Sequence, residues 1–106
     1  MYNETYRPNK ILNKVLVVAK ELGFLHEQTN GKGQGARMSF WKDDTKQIEF
    51  ENNIDFPSIL IDSTKEDVAN FKSKIIVLLN GYAYKIKEYN GNMAIYEFDL
   101  TKSKEE

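Results

Sequence analysis

Very few residues in this 106-residue chain could carry out catalytic chemistry. It contains no cysteine and a single histidine, His26. Without cysteine the chain cannot form a disulfide, a thiolate nucleophile or a cysteine-ligated zinc or iron–sulfur cluster. With one histidine it cannot build a two-histidine metal site within one subunit. We therefore expect no catalytic residue, no metal site and no cofactor, and we predict that the protein is not an enzyme.

The short motifs that would suggest an enzyme are incomplete. His26 and Glu27 begin the metalloprotease pattern H-E-x-x-H, but the position of its second histidine holds Asn30. Three glycines alternate in the segment 31–35 and lead into a predicted strand, whereas a phosphate-binding loop needs G-x-x-x-x-G-K-[ST] before a helix. This segment is therefore expected to be a flexible loop. An enzyme would need His26 to meet carboxylates from elsewhere in the chain.

A basic and aromatic stretch is the first candidate binding surface. It contains Lys32, Arg37 and Lys42, the only tryptophan, Trp41, and no acidic residue between 32 and 42. Cations beside an aromatic ring are typical of sites that hold phosphates and stack bases, at about 1–3 kcal/mol per base. The pattern predicts binding of single-stranded nucleic acid or RNA. The alternative is that Trp41 covers a sheet edge and Arg37 pairs with a nearby glutamate.

A second candidate surface is predicted on the outer face of the last two strands. Its members are Lys85, Lys87, Met93 and Ile95. Tryptophan and methionine are enriched in the cores of protein interfaces. This surface therefore indicates a protein partner, or a second copy of the chain in a homodimer. Tyr2, Tyr6 and Tyr89 are expected to add aromatic surface to the first candidate surface, beside Trp41.

Two amphipathic helices are predicted to position these surfaces. The first spans residues 9–22, begins at Asn9 as N-cap, and ends at Gly23 as C-cap with Phe24 in the contact position of a Schellman motif. Its apolar stripe has helical spacing. That stripe consists of Ile11, Leu12, Val15, Leu16, Ala19 and Leu22.

The second helix has the clearer start signal. Ser63 and Glu66 fit a capping box, in which each side chain bonds the backbone N–H of the other residue. The helix is expected to end at Asn80 and Gly81. Its predicted core stripe consists of Val68, Phe71, Ile75, Leu78 and Leu79.

The first hairpin is predicted from residues 37–42 and 47–51. If Lys42 lies opposite Ile48, all the apolar residues of the two strands except Trp41 share one face, and Trp41 lies on the polar face. A shift by one residue would mix apolar and charged groups on both faces, so burial selects this register.

The second hairpin is predicted from residues 81–89 and 92–100. A three-residue loop with Gly91 in the left-handed bulge position pairs Glu88 with Asn92. This register places six residues on one face: Tyr82, Tyr84, Ile86, Ala94, Tyr96 and Phe98. Two further segments are less distinct. Residues 24–29 resemble a short strand. Residues 59–61 resemble a buried strand. Pro57 would either limit this strand to an edge of the sheet or mark the start of the segment that contains it.

These elements predict an α+β two-layer sandwich in the order αββ-αββ, with two amphipathic helices packed on an antiparallel sheet of four to five strands. The chain is expected to form a single domain, residues 1–106, with a charged tail at 101–106. It contains 15 Lys and Arg against 16 Asp and Glu. This balance argues against a dedicated duplex-DNA binder. No secretory signal or membrane span is present in the sequence, so we expect a cytoplasmic protein.

A short motif resembles two RNA-related families. The order helix–strand–strand–strand–helix, with Gly35 five residues before Phe40, is similar to the double-stranded-RNA-binding fold and to the HicA-type toxin ribonucleases over residues 9–80. Those toxins carry a catalytic histidine two residues after the glycine, where this chain has Arg37. The resemblance therefore implies binding without cleavage.

The sequence as a whole predicts a small non-enzymatic interaction protein. The near absence of candidate catalytic residues favours a regulator, inhibitor or accessory subunit that binds a protein partner. The Asn- and Lys-rich composition of the chain is common in proteins of phages and mobile elements. Binding of single-stranded nucleic acid or RNA through the basic stretch and Trp41 is the alternative.

Overall fold

Two helices and six strands make up the part of the chain that the structure, a computed structural model, describes: residues 10–53 and 55–103. The elements are α1 (Lys10–Glu21), β1 (His26–Asn30), β2 (Ala36–Asp43), β3 (Lys46–Asn52), β4 (Ser58–Asp62), α2 (Lys65–Leu78), β5 (Tyr82–Tyr89) and β6 (Met93–Ser103). Asn9, Tyr2 and Tyr6 lie outside the described residues. No helix in these two ranges is long and apolar enough to cross a membrane.

The C-terminus of α1 is the Schellman motif that the sequence predicts. Gly23 has a φ of 92°, and its N–H donates to the carbonyl of Lys20 at 3.1 Å. The N–H of Phe24 donates to the carbonyl of Ala19 at 2.9 Å, and the Phe24 ring is buried. These two bonds satisfy carbonyls that the helix end would otherwise leave unpaired.

The N-terminus of α2 lies one residue later than predicted. Thr64, and not Ser63, is the N-cap, and its hydroxyl accepts from the N–H of Asp67 at 3.0 Å. The hydroxyl of Ser63 instead donates to the Asp67 carboxylate at 2.6 Å. That carboxylate also accepts from Lys42 on a distant strand, so Ser63 bonds to a side chain here and Thr64 caps the helix.

The sheet has six antiparallel strands in the order β1-β2-β3-β4-β6-β5, where four to five were predicted. Both indistinct segments are strands, so the element order is α-ββββ-α-ββ and not αββ-αββ. Four strands therefore separate the helices, one more than in the RNA-related folds. The α+β class is confirmed.

Strand β4 lies inside the sheet, between β3 and β6. Pro57 therefore starts the strand and does not restrict it to an edge. Its carbonyl accepts from the N–H of Phe98 at 3.0 Å, so Pro57 already bonds to β6 just before the strand begins. At the other end of the sheet, β6 continues through Ser103, three residues into the segment predicted as a tail.

The predicted faces of both hairpins are confirmed, but both registers are wrong by two residues. Phe40, and not Lys42, lies opposite Ile48, because the ladder bulges between Trp41 and Asp43. In the second hairpin Glu88 lies opposite Ala94 and not Asn92. Asn90 and Gly91 both adopt positive φ, 56° and 73°, so the loop spans residues 90–92. A shift by two preserves the faces because the side-chain period of a strand is two.

One continuous core fills the space between the helices and the sheet. The ring of Phe71 on α2 meets that of Tyr96 on β6 edge-on, with centroids 5.3 Å apart. Burial raises the pKa of Tyr96 above its ordinary value. Its hydroxyl has no hydrogen-bond partner among the described residues. The helices cover one face of the sheet and leave the other, here called the open face, to form surface.

Candidate functional site

The two surfaces predicted from the sequence share the open face. Laterally paired residues in a sheet point to the same side, and so do alternate residues along a strand. The register therefore places most members of both surfaces together. These members are Arg37, Trp41, Lys85, Lys87, Met93 and Ile95.

Trp41 belongs to a lateral row that crosses all six strands of the sheet. From β1 to β5 the row consists of His26, Trp41, Gln47, Asp62, Met93 and Tyr89. Three strand spacings separate Trp41 from Met93, or about 14 Å at about 4.8 Å per strand. Gln47 and Asp62 lie between them, so Trp41 and Met93 belong to separate apolar areas.

The larger apolar area, here called the apolar patch, consists of Leu60, Tyr89, Met93 and Ile95. Leu60 lies directly opposite Ile95, and Met93 lies directly opposite Tyr89. The Tyr89 side chain is 41% exposed, and the other three are half-buried without any helix above them. A contiguous apolar area on a face that no element covers is typical of an interaction site.

Charged residues surround the apolar patch, and most of them are acidic. Among the described strand residues, the open face carries three cations and five carboxylates. The cations are Arg37, Lys85 and Lys87, and the carboxylates are Glu49, Glu51, Asp62, Glu97 and Asp99. The carboxylates occupy the central strands, and the cations lie toward the two sides.

Lys42 points away from the open face. It lies in the bulge of β2, and its Nζ donates to both carboxylate oxygens of Asp67 at 3.0 Å. The same Nζ lies 5.0 Å from the centre of the Phe24 ring. Lys42 therefore connects β2 to the first turn of α2, and its ammonium lies on the helix side of the sheet, away from the Trp41 side chain.

Lys32 and Arg37 lie at the opposite end of β2 from Trp41. Lys32 is exposed in the glycine-containing loop, and Arg37 is exposed opposite Asn30 and Glu51. The first candidate surface is therefore divided in three: Lys32 with Arg37, Trp41, and Lys42.

The glycine-containing loop uses backbone amides for its own structure. The N–H of Gly35 donates to the carbonyl of Asn52 at 2.7 Å, and that of Ala36 donates to Gly33 at 3.2 Å. The side-chain amide of Asn52 donates to the carbonyl of Gly33 at 3.0 Å. Because these two amides are already bonded, they are not available to hold a phosphate.

His26 is exposed and lines a hollow of about 450 Å³ near the β2–β3 turn. The other lining residues are Gln28, Trp41, Lys42, Asp43 and Asp44. Asp43 accepts from the N–H groups of Thr45 and Lys46 at 2.9 and 3.1 Å, as well as from the Lys46 ammonium at 2.8 Å. The hydrogen bond from Lys46 and those from Thr45 lower the pKa of Asp43.

These contacts give the Asp43 carboxylate a role in building the turn. Across residues 10–53 and 55–103, no three His, Asp or Glu side chains cluster as metal ligands would. The geometry therefore brings His26 near two carboxylates without adding a nucleophile or a metal centre.

A larger cleft of about 650 Å³ lies at the other end of the open face. Glu51, Lys85, Glu97 and Asp99 line it together with the exposed ring of Phe56. The sequence did not predict this cleft, because it forms only where the segment after β3 passes beside β5 and β6.

Sequence reasoning also missed Leu60. Residues 59–61 read as a uniformly buried strand, but a pleated strand turns Leu60 to the face opposite Ile59 and Ile61. The two-residue period was the available signal.

The chain matches none of the protein-family models, curated proteins or solved structures with which it was compared. The case for a function therefore rests on the chemistry of the open face.

Proposed function

We propose that this chain is a small non-enzymatic interaction protein, a regulator, inhibitor or accessory subunit, that binds a protein partner with the open face of its sheet. The apolar patch is the observation that carries the proposal. It presents an aromatic ring, a methionine and two branched aliphatic side chains next to one another. An apolar centre inside a charged rim is the usual anatomy of a protein interface.

The charge pattern favours a protein over a nucleic acid. Phosphates would meet Glu49, Asp62 and Glu97 on the central strands before reaching the cations at the sides. Of the cations predicted to hold a nucleic acid, Lys42 is occupied by Asp67. A partner with basic side chains around an apolar centre complements this face better.

The test is affinity capture with the immobilised protein, followed by calorimetry with the purified partner. We expect a stoichiometric protein partner. Replacing Met93 and Ile95 together by alanine should weaken its binding at least about tenfold, because a few buried anchors carry most of the free energy of binding. The matched control is Val77→Ala, because Val77 is a 73% exposed apolar residue on α2, away from the open face.

The nucleic-acid alternative has its own measurement. It is fluorescence anisotropy with a single-stranded RNA. Binding at a nucleic-acid site would fall steeply with salt and would require Trp41 and Arg37, and we expect no such binding. If such binding appears, and the double variant Arg37→Glu with Trp41→Ala loses it at least about tenfold, the proposal of a protein partner is wrong. Equal capture by the wild type and the Met93, Ile95 variant would also contradict it.

A further inference from the structure

Strand β5 is the longer of the two edge strands of the sheet. It spans eight residues, against five in β1, and pairs only with β6 among the described strands. On the outer side of an edge strand, backbone N–H and C=O groups have no partner strand. A second chain that lies along β5 in extended form can bond to these groups.

The helix side of β5 carries an apolar row that the helices do not cover fully. Tyr82, Tyr84 and Ile86 pack against the core and remain half-exposed at the edge. These residues line a groove of about 580 Å³ along the strand. Alternate side chains of an added strand would enter this groove and cover the row.

The open side of β5 carries positive charge. Lys85 and Lys87 are both exposed, and Glu97 is the carboxylate nearest to them by register. Glu97 lies opposite Lys85 and reaches Lys87 at 3.8 Å. On this side of β5 both charged residues are lysines, whereas Glu97 and Asp99 lie on β6, one strand further from the edge. The other alternate side chains of an added strand would therefore meet the two lysines first.

We propose that the β5 edge is a docking site for an extended segment of a partner protein in which apolar and acidic residues alternate. The apolar side chains cover Tyr84 and Ile86, the acidic side chains pair with Lys85 and Lys87, and the two backbones extend the sheet by one strand. This site shares only Tyr89, the last residue of β5, with the apolar patch and does not depend on the function proposed for the open face.

A second copy of the chain does not fit this site. Pairing β5 with another β5 would bring Lys85 and Lys87 against the lysines of the other copy, since all four share one face, and like charges across strands destabilise pairing. Pairing with β1 of another copy would place Glu27 on the apolar side of the edge. A strand of alternating acidic and apolar residues places carboxylates beside the lysines on the open side of β5 and apolar side chains beside the tyrosines on its helix side.

The test measures how tightly the full-length protein binds synthetic peptides that are as long as β5. A peptide of alternating valine and glutamate should bind at least about tenfold more tightly than one of alternating valine and lysine. The variant Lys85→Glu with Lys87→Glu changes two exposed side chains and should reverse this preference. Amide NMR should show the largest shifts, and new protection from hydrogen exchange, along β5.

The proposal requires both charge selectivity and backbone pairing. Methylating alternate backbone nitrogens of the glutamate peptide should abolish binding when the methyl groups face β5, since the N–H donors are then lost. Equal binding of the two charge types, shifts confined to β1 or to Leu60, Met93 and Ile95, or no binding of the glutamate peptide would overturn it. The Met93, Ile95 variant should bind the glutamate peptide as the wild type does, which separates this site from the proposed function.

Discussion

Asp67 connects three parts of the fold through one carboxylate. Lys42 reaches it from β2, Ser63 from the end of β4, and its own N–H bonds to Thr64 at the start of α2. Burial alone would raise the pKa of Asp67, but the hydrogen bonds from Ser63 and Lys42 outweigh it, so the pKa is lowered. The ionised carboxylate therefore stabilises the fold.

We expect Asp67→Asn to lower the free energy of unfolding at pH 7 by about 1–3 kcal/mol, the usual range for hydrogen bonds to a charged group. A group whose pKa is lowered by folding stabilises fully above its unfolded value, about 3.9 for Asp, and loses that effect as the pH falls through the folded value. The difference between wild type and variant should thus shrink below about pH 4. Urea denaturation from pH 7 to pH 2.5 measures it.

Lys42→Met provides the control for this prediction. In a double-mutant cycle, the two substitutions should couple by at least about 0.5 kcal/mol, because they share one ion pair. A difference between wild type and Asp67→Asn that stays constant with pH would show that the charge contributes nothing.

At the scale of the elements, glycines and asparagines in the left-handed region determine where helices and strands end. Gly23 ends α1 with a φ of 92°, and Asn90 and Gly91 turn β5 into β6. The two glycine positions tolerate side chains poorly because Cβ approaches the backbone when φ is positive, a conformation that asparagine adopts more readily than other residues with a side chain. The direction in which the chain leaves α1 toward β1 therefore depends on a single residue.

Gly23→Ala is expected to destabilise the protein by about 1–2 kcal/mol through its positive φ. Gly23→Asn should cost less, because asparagine adopts this conformation more readily. Thermal or urea denaturation compares the two variants. A Cβ at this position would lie 3.3 Å from Cε of Lys42. If asparagine costs as much as alanine or more, that contact and not the backbone conformation decides the effect.

At the scale of the whole molecule, the two faces of the sheet differ in burial, and the proposed binding surface lies on the less buried face. Ile59 on β4 is fully buried on the helix face, whereas Ile95 on β6 is half-buried on the open face. The two residues lie on adjacent, paired strands. The side that packs against the helices holds the core, and the other side is available to a partner.

The same chemical change on the two faces should have different costs. Ile59→Val is expected to lower the free energy of unfolding by about 1 kcal/mol, and Ile95→Val by less than about 0.5 kcal/mol. Urea denaturation at a concentration where light scattering gives the monomer mass of 12.3 kDa provides the comparison. Equal costs would mean that both faces are packed in the isolated protein, and would contradict this difference between them.

Sequence by itself determined the features that depend on nearby residues. The Schellman end at Gly23 follows from backbone conformation, the core stripes of the helices from helical spacing, and the assignment of Trp41 to the open face from the two-residue period of a strand. These features require no knowledge of distant contacts. The structure agrees with the Schellman end and with the face of Trp41, but the stripes are right only in part. Val18 is fully buried although the predicted stripe omits it, and three predicted members are only partly buried: Leu16, Leu22 and Leu78.

Tertiary structure alone decided the features that depend on residues far apart in the chain. The bulge of β2 places Lys42 against Asp67 of α2, which is 25 residues away in the chain. Leu60 and Ile95 become neighbours only when β4 and β6 pair. Local propensities cannot specify such pairings, because burial selects the face of a strand but not which two-residue register it adopts. The scarcity of catalytic residues was therefore evident from the sequence, whereas the surface proposed for binding exists only in the folded sheet.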